Sequence, residues 1–125
     1  SRALIDIDSS YIRKNVVWVG YVGTPNKRPF CFFAFKVGEN QKKILDHFWI
    51  QPEFMGKGLG KLLFRQALQV ARSQQWDCFE LYSDPPAEGF YLKMGAKKIG
   101  EVPSRISGGP VFPALKVEVH AESSF

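Results

Sequence analysis

Apolar and polar positions alternate between two periods along this chain. Residues 16–22 read VVWVGYV, β-branched and aromatic, which predicts a strand. Gly23 to Pro29 is rich in turn formers, and Phe30 to Val37 (FCFFAFKV) is an apolar run of strand length. The phenylalanines at 30, 32, 33 and 35 are expected to make it a fully buried strand. Gly38-Glu39-Asn40 turns the chain again, and Lys43 to Gln51 reads as a third strand that Pro52 stops. These three strands are expected to form an antiparallel meander.

The period then changes to that of a helix. Leu59, Leu62, Leu63, Ala67, Val70 and Ala71 fall at helical spacing, and Phe64 and Leu68 widen the apolar face. Lys57, Lys61, Arg65 and Arg72 make the polar side. Phe79 to Tyr82 reads as a short strand. Pro85-Pro86 opens a second helix that runs through Glu88 to Met94, with Gly95 suited to its C-terminal cap. Lys97 to Val102 and Leu115 to Val119 are the last strands, with Pro103 to Pro113 as the loop between them. The predicted order is β-β-β-α-β-α-β-β, an α/β or α+β layered domain with a mixed sheet.

At 125 residues the chain fits a single domain over 1–125. Hydrophobic residues are 45% of it, enough for a core, and charged residues are 23%. There are 17 basic and 12 acidic residues, a formal charge of +5 that favours anionic partners such as phosphorylated cofactors. No apolar run has the length of a membrane span, and no signal peptide is visible, so a cytoplasmic location without membrane contact is expected. Cys31 and Cys78 lie in apolar stretches with no zinc spacing, so no metal is expected. The Lys42-Lys43 and Lys97-Lys98 pairs read as solvated strand ends. They lack the interleaved exposed aromatics of a nucleic-acid surface.

The strongest chemical signal is the junction Met55-Gly56-Lys57-Gly58-Leu59-Gly60-Lys61. A strand ends, three alternating glycines follow, and a helix begins at once. Such glycines let backbone N–H groups form a concave nest, and the helix start adds unpaired donors and partial positive charge. Lys57 and Lys61 complete a phosphate or pyrophosphate cradle. A Walker loop does not fit, because Met55 stands where its first glycine belongs and Leu62 where its hydroxyl belongs. A dinucleotide fingerprint begun at Gly56 fails at Lys61. Gly58 and Gly60 lie at the helix edge, so bulkier residues there are expected to obstruct a cofactor while the fold survives.

The segment from Leu45 to Gly60 resembles the acetyl-CoA-binding motif A of the GNAT N-acetyltransferase superfamily: Gln or Arg, two residues, Gly, one residue, Gly or Ala. It falls here on Met55, Gly58 and Gly60. Ser83 to Gly95 resembles motif B, with its Phe-Tyr pair at Phe90-Tyr91. The resemblance covers roughly Tyr11 to Val119. It implies a GNAT-like sheet with helices on both faces and acetyl-CoA as cosubstrate, without a metal. It implies that the amides from Gly56 to Lys61 hold the pyrophosphate. It also implies that the strand end Phe48-Trp49-Ile50 pairs its backbone with the pantetheine arm, which lies between splayed third and fourth strands. Met55 replaces the family's Gln or Arg, and Pro86 stands where many relatives carry an Asn toward that arm. Relatives begin with a strand and two helices. Here Ser1 to Asn15 precede the first strand, Tyr11 to Asn15 resembles the end of the second of those helices, and the N-terminal helices are expected to be largely missing.

The implied reaction is acetyl transfer to an amine, a small molecule by family habit, directly within a ternary complex. A homodimer is an option, and a non-catalytic CoA-binding module of the same fold is the alternative. An alkylamine near pKa ~10.4 is only about 0.1% neutral near physiological pH, so a base is needed. Asp46 and His47, just before the cofactor strand end, are the candidates. Strand alternation is expected to put them on opposite faces, with Asp46 sharing the face of Phe48 and Ile50. Tyr91 is the candidate acid for the leaving thiolate, the role the resemblance gives the tyrosine of that pair.

Overall fold

A computed structural model describes residues 15–23, 25–104 and 106–120. The expectation for Tyr11 to Asn15 as a helix end falls mostly outside them. The elements are β1 (Val16–Val22), β2 (Arg28–Val37), β3 (Lys43–Ile50), α1 (Leu59–Ser73), β4 (Cys78–Tyr82), α2 (Glu88–Lys93), β5 (Lys97–Pro103) and β6 (Val111–Glu118). They build one six-stranded sheet in the order β1-β2-β3-β4-β6-β5. Every neighbouring pair is antiparallel except β3 and β4, which run parallel. The layered α/β fold and the meander of the first three strands are as the periodicity predicts.

Helix α1 faces the sheet with Leu63, Phe64, Ala67, Leu68 and Ala71, the stripe expected of an amphipathic helix. Its end is a Schellman motif. Gln75 takes a left-handed φ of 62°, Trp76 N–H donates to the Ala71 carbonyl at 3.1 Å, and Gln75 N–H donates to that of Arg72 at 2.9 Å. This turn drops the Trp76 ring onto Phe35, 4.9 Å between centroids, with Phe79 at the same distance on another side of Phe35. Phe33, Phe35, Phe64, Phe79, Leu115 and Val119 are the largest fully buried side chains.

Three local expectations change. Residues 31–35 of β2 are buried as expected, but of its four phenylalanines only Phe33 and Phe35 are members of the core under α1. Phe30 is half-buried, and Phe32 looks to the other side of the sheet, because an antiparallel strand has two faces even when both are apolar. The second helix is a 3₁₀ turn over Pro85–Ala87 followed by α2, since two successive prolines remove donors from the first turn. Lastly, β6 starts at Val111, so Val111 to Pro113 belong to the sheet and not to the loop. Pro113 is tolerated because its carbonyl still accepts from Ser83 N–H at 2.9 Å.

β3 and β4 share one backbone bridge, Ile44 to Glu80. Beyond it the two strands part, and the site lies in that opening. Among the described residues no helix is long and apolar enough to cross a membrane. The Ile44 side chain is 7% exposed and sits beneath Gly38, where an added Cβ would come within 2.9 Å of Ile44 Cδ1. Ile44→Val removes that methyl at the root of the opening. An urea titration is expected to show a loss of about 0.5–1.5 kcal/mol with an unchanged slope.

Candidate active site

The site begins with a bulge in β3. Ala34 pairs with His47 and Phe35 with Leu45, so Asp46 is one residue too many for β2 to match. Unbroken alternation would send Leu45 and Phe48 to opposite faces. With the extra residue both reach the core under α1, Leu45 as a member and Phe48 packed against it. Asp46 and His47 are thereby turned out together, and the expectation of opposite faces does not hold. Asp46 Oδ2 lies 3.5 Å from His47 Nε2, and Asp46 Oδ1 lies 3.4 Å from Lys36 Nζ. The His47 ring is 5.8 Å from Phe32.

The second part is the start of α1. Gly56 and Gly58 take left-handed φ values of 79° and 76°, and Gly58 is the N-cap without a side-chain cap. The first helical bond runs from Leu62 N–H to the Gly58 carbonyl at 3.3 Å. The N–H groups of Leu59, Gly60 and Lys61 therefore stand outside the helical ladder, as donors for an anion. Side chains at 56 and 58 would meet nothing within 4 Å, so these positions leave space for a ligand. Gly60 differs: a Cβ there would lie 3.2 Å from Phe90 Cε1. It is a close contact between α1 and α2, so a bulky residue at 60 disturbs packing as well as the cradle.

Two cavities open off the cleft between β3 and β4. One, about 550 Å³, is lined by Ile50, Met55, Gly56, Gly58, Gly60, Lys61, Pro86 and Phe90. The other, about 540 Å³, is lined by Asp46, His47, Trp49, Phe32, Tyr82, Ser83 and Asp84, with Leu45 and Leu81. Phe48, Ala87 and Tyr91 line both. Tyr91 is held by ring contacts to Phe48, Phe64 and Phe90 at 5.8, 6.1 and 5.2 Å. Burial, and secondly the carboxylate of Asp84, push its phenol up to about 12. It therefore stays protonated at every pH a protein normally meets.

Residues 8–96 match the family described as Acetyltransferase (GNAT) family. This chain belongs to that family. The GNAT chain is 30% identical over 114 residues to the peptidyl-lysine N-acetyltransferase YjaB of Salmonella typhimurium, covering 91% of itself and 72% of that protein. It is 28% identical over 94 residues to the uncharacterised N-acetyltransferase ycf52 of Gracilaria tenuistipitata var. liui, covering 73% of itself and 48% of that protein. It thus spans about half the length of that relative. Its fold matches a GNAT family acetyltransferase from Elizabethkingia anophelis with acetyl-CoA bound, at a TM-score of 0.71 and 13% identity, over 94% of this chain and 83% of that one.

Most residues singled out in the GNAT sequence motifs meet around this cleft. Trp49 and Leu59 are split from the glycine loop: the Trp49 side chain lines the Asp46 cavity, and Leu59 lines a groove with Trp18, Phe30 and Cys31. Lys57 lines neither cleft cavity, leaving Lys61 as the lysine on the glycine side. Sequence reasoning missed Phe32, Tyr82, Ser83, Asp84 and Ala87. Their signal was positional, since Tyr82 to Asp84 follow the carboxyl end of a strand that parts from its parallel neighbour. Among the described residues no group of three or more His, Cys, Asp or Glu is placed to hold a metal.

Proposed function

We propose that this chain transfers an acetyl group from acetyl-CoA to a primary amine, directly and within a ternary complex. One observation carries the proposal: Tyr91, Phe48 and Ala87 belong to both cavities, so two ligands seated in them meet at these residues, Tyr91 among them. The glycine cavity suits the cosubstrate. Free amides at the start of α1, two left-handed glycines and Lys61 offer donors and positive charge to a pyrophosphate. The backbone of Phe48 to Ile50, beyond the bridge at Ile44, is left for the pantetheine arm. Met55 and Pro86 give that cavity apolar walls in place of polar side-chain contacts.

In the other cavity the amine must become neutral before it attacks. Asp46 takes its proton, directly or through water, with His47 Nε2 3.5 Å from the carboxylate. A strand amide polarises the carbonyl, and Tyr91 supplies the proton to the departing sulfur.

The test is thiol release on mixing protein, acetyl-CoA and a simple primary amine, with acetyl-CoA binding followed by calorimetry. Binding without amine-dependent release would mark a CoA-binding module, and absence of binding would overturn the assignment altogether. In the same assay Asp46→Asn is expected to lower kcat/KM for the amine by about 10–10²-fold near neutral pH. The loss should shrink as pH approaches the amine's own value near ~10.4, where bulk solvent has already removed the proton. His47→Gln is expected to act in the same direction but less, because the imidazole touches the carboxylate. A parent-like profile for both variants would assign proton removal elsewhere.

A further inference from the structure

We infer that the acceptor is a small dicationic amine, a di- or polyamine whose second ammonium stays charged while the first is acetylated; this rests on the acetyl-transfer reading above. The chain carries a net +5, yet among the described residues no lysine or arginine lines the Asp46 cavity, whereas Lys61 lines the glycine cavity. Among the described lining residues the glycine half offers Lys61 to an anion, and the other half offers the carboxylates of Asp46 and Asp84 to a cation. Within the acceptor half the two carboxylates are not equivalent. Asp46 already has Lys36 at 3.4 Å. Asp84 makes no ion pair among the described residues, and its side chain does not cap the 3₁₀ turn that follows it. It lines the same cavity as Tyr91, a residue that this cavity shares with the glycine cavity.

A reacting nitrogen cannot be the cation that Asp84 holds, because that nitrogen must be neutral when it attacks. A second ammonium on the same molecule can be. The walls suit the chain that would join the two nitrogens. Trp49 on β3 and Tyr82 on β4 are 42% and 45% exposed, unusually so for large aromatics, and Phe32 backs Trp49 at 6.1 Å. Aromatic faces of this kind receive both methylene groups and alkylammonium ions. A cavity of about 540 Å³ is of a size for a small molecule. A carboxylate next to the acceptor amine would meet two like charges.

The experiment compares kcat/KM for pentylamine, 1,5-diaminopentane and 5-aminopentanoate. The diamine is expected to exceed the monoamine by about fivefold or more, the scale of one exposed charge pair with one cation–π contact, and the amino acid to be poorest. The preference should shrink as salt is raised. Asp84→Asn should bring the diamine-to-monoamine ratio toward one, and Asp84→Glu should keep it. Both amines use the same Tyr91, so any effect of Asp84 on the phenol cancels in that ratio. Calorimetric acetyl-CoA binding with equal use of diamine and monoamine overturns this inference and leaves acetyl transfer standing. A lysine peptide preferred over the diamine also overturns it, in favour of a protein acceptor. Absence of acetyl-CoA binding overturns both.

Discussion

Tyr91→Phe lowers turnover by about 10²-fold or more while leaving acetyl-CoA affinity within about twofold. The change removes one oxygen and keeps the ring against Phe48, Phe64 and Phe90. The cavity walls therefore stay in place, and the loss falls on the proton-transfer step. With the phenol near about 12 and a thiol near ~8.5, complete transfer in the resting site is uphill by about 5 kcal/mol. In the proposed mechanism the proton would therefore move late, as negative charge develops on sulfur. The pH dependence separates this role from packing. A phenol pushed up by burial and by Asp84 does not ionise between about pH 6 and about pH 10, so no alkaline decline of the parent enzyme in that range belongs to Tyr91. The variant should lose a nearly constant factor across it. The stability linkage has the same sign. A phenol raised in the folded state favours folding below its ordinary value near ~10, and that contribution is lost as pH climbs through about 12. Steady-state thiol release across pH decides the matter, and turnover within twofold of the parent would reduce Tyr91 to packing.

Gly58→Val is expected to weaken acetyl-CoA binding by about 10²-fold or more. Gly58 sits at φ 76° as the N-cap of α1, a conformation that a β-branched residue adopts only with strain. Relaxing it turns the amides at the start of α1 away from a common focus, and two charge-assisted bonds to phosphate contribute about 3–6 kcal/mol between them. The side chain itself meets no protein atom within 4 Å, so the domain is expected to remain folded, which a thermal melt checks. Gly58→Asn is the informative companion. Asparagine accepts the left-handed region, so a much smaller loss for Asn than for Val would assign the effect to backbone shape. Equal losses would assign it to bulk in the ligand's path. Unchanged calorimetric affinity in a folded Gly58→Val protein would remove this loop from the binding site. Gly60 is a poorer probe than its spacing promises, because Phe90 occupies the space beside it.

Much of this was legible in the residues because local pattern and tertiary role agree. The helical stripe of α1, the glycine junction and the Phe90-Tyr91 pair each announce themselves over a few positions, and the fold brings them together. What escaped depends on pairing between distant residues. The extra residue at Asp46 exists only relative to β2, so no periodicity within β3 reveals that Asp46 and His47 share a face. Ser83 and Asp84 join the site because β4 parts from β3, a property of two strands. Val111 to Pro113 look like loop because proline is a poor strand former, yet β6 keeps them through carbonyl acceptors and its pairing with β5.

The lone bridge between Ile44 and Glu80 also divides the molecule in time. Hairpin partners such as β1 and β2, or β5 and β6, are near in sequence and can zip early, whereas β3 and β4 must wait for α1 to close the loop between them. The sheet thus has two parts, 16–50 and 78–118, joined along a seam with one main-chain bridge and held by the side-chain core that packs across it. Amide protons flanking that seam are therefore expected to exchange sooner than those of the paired hairpins. In the proposed binding mode the ligand arm would bridge that seam, and acetyl-CoA is expected to slow exchange of the amides flanking it.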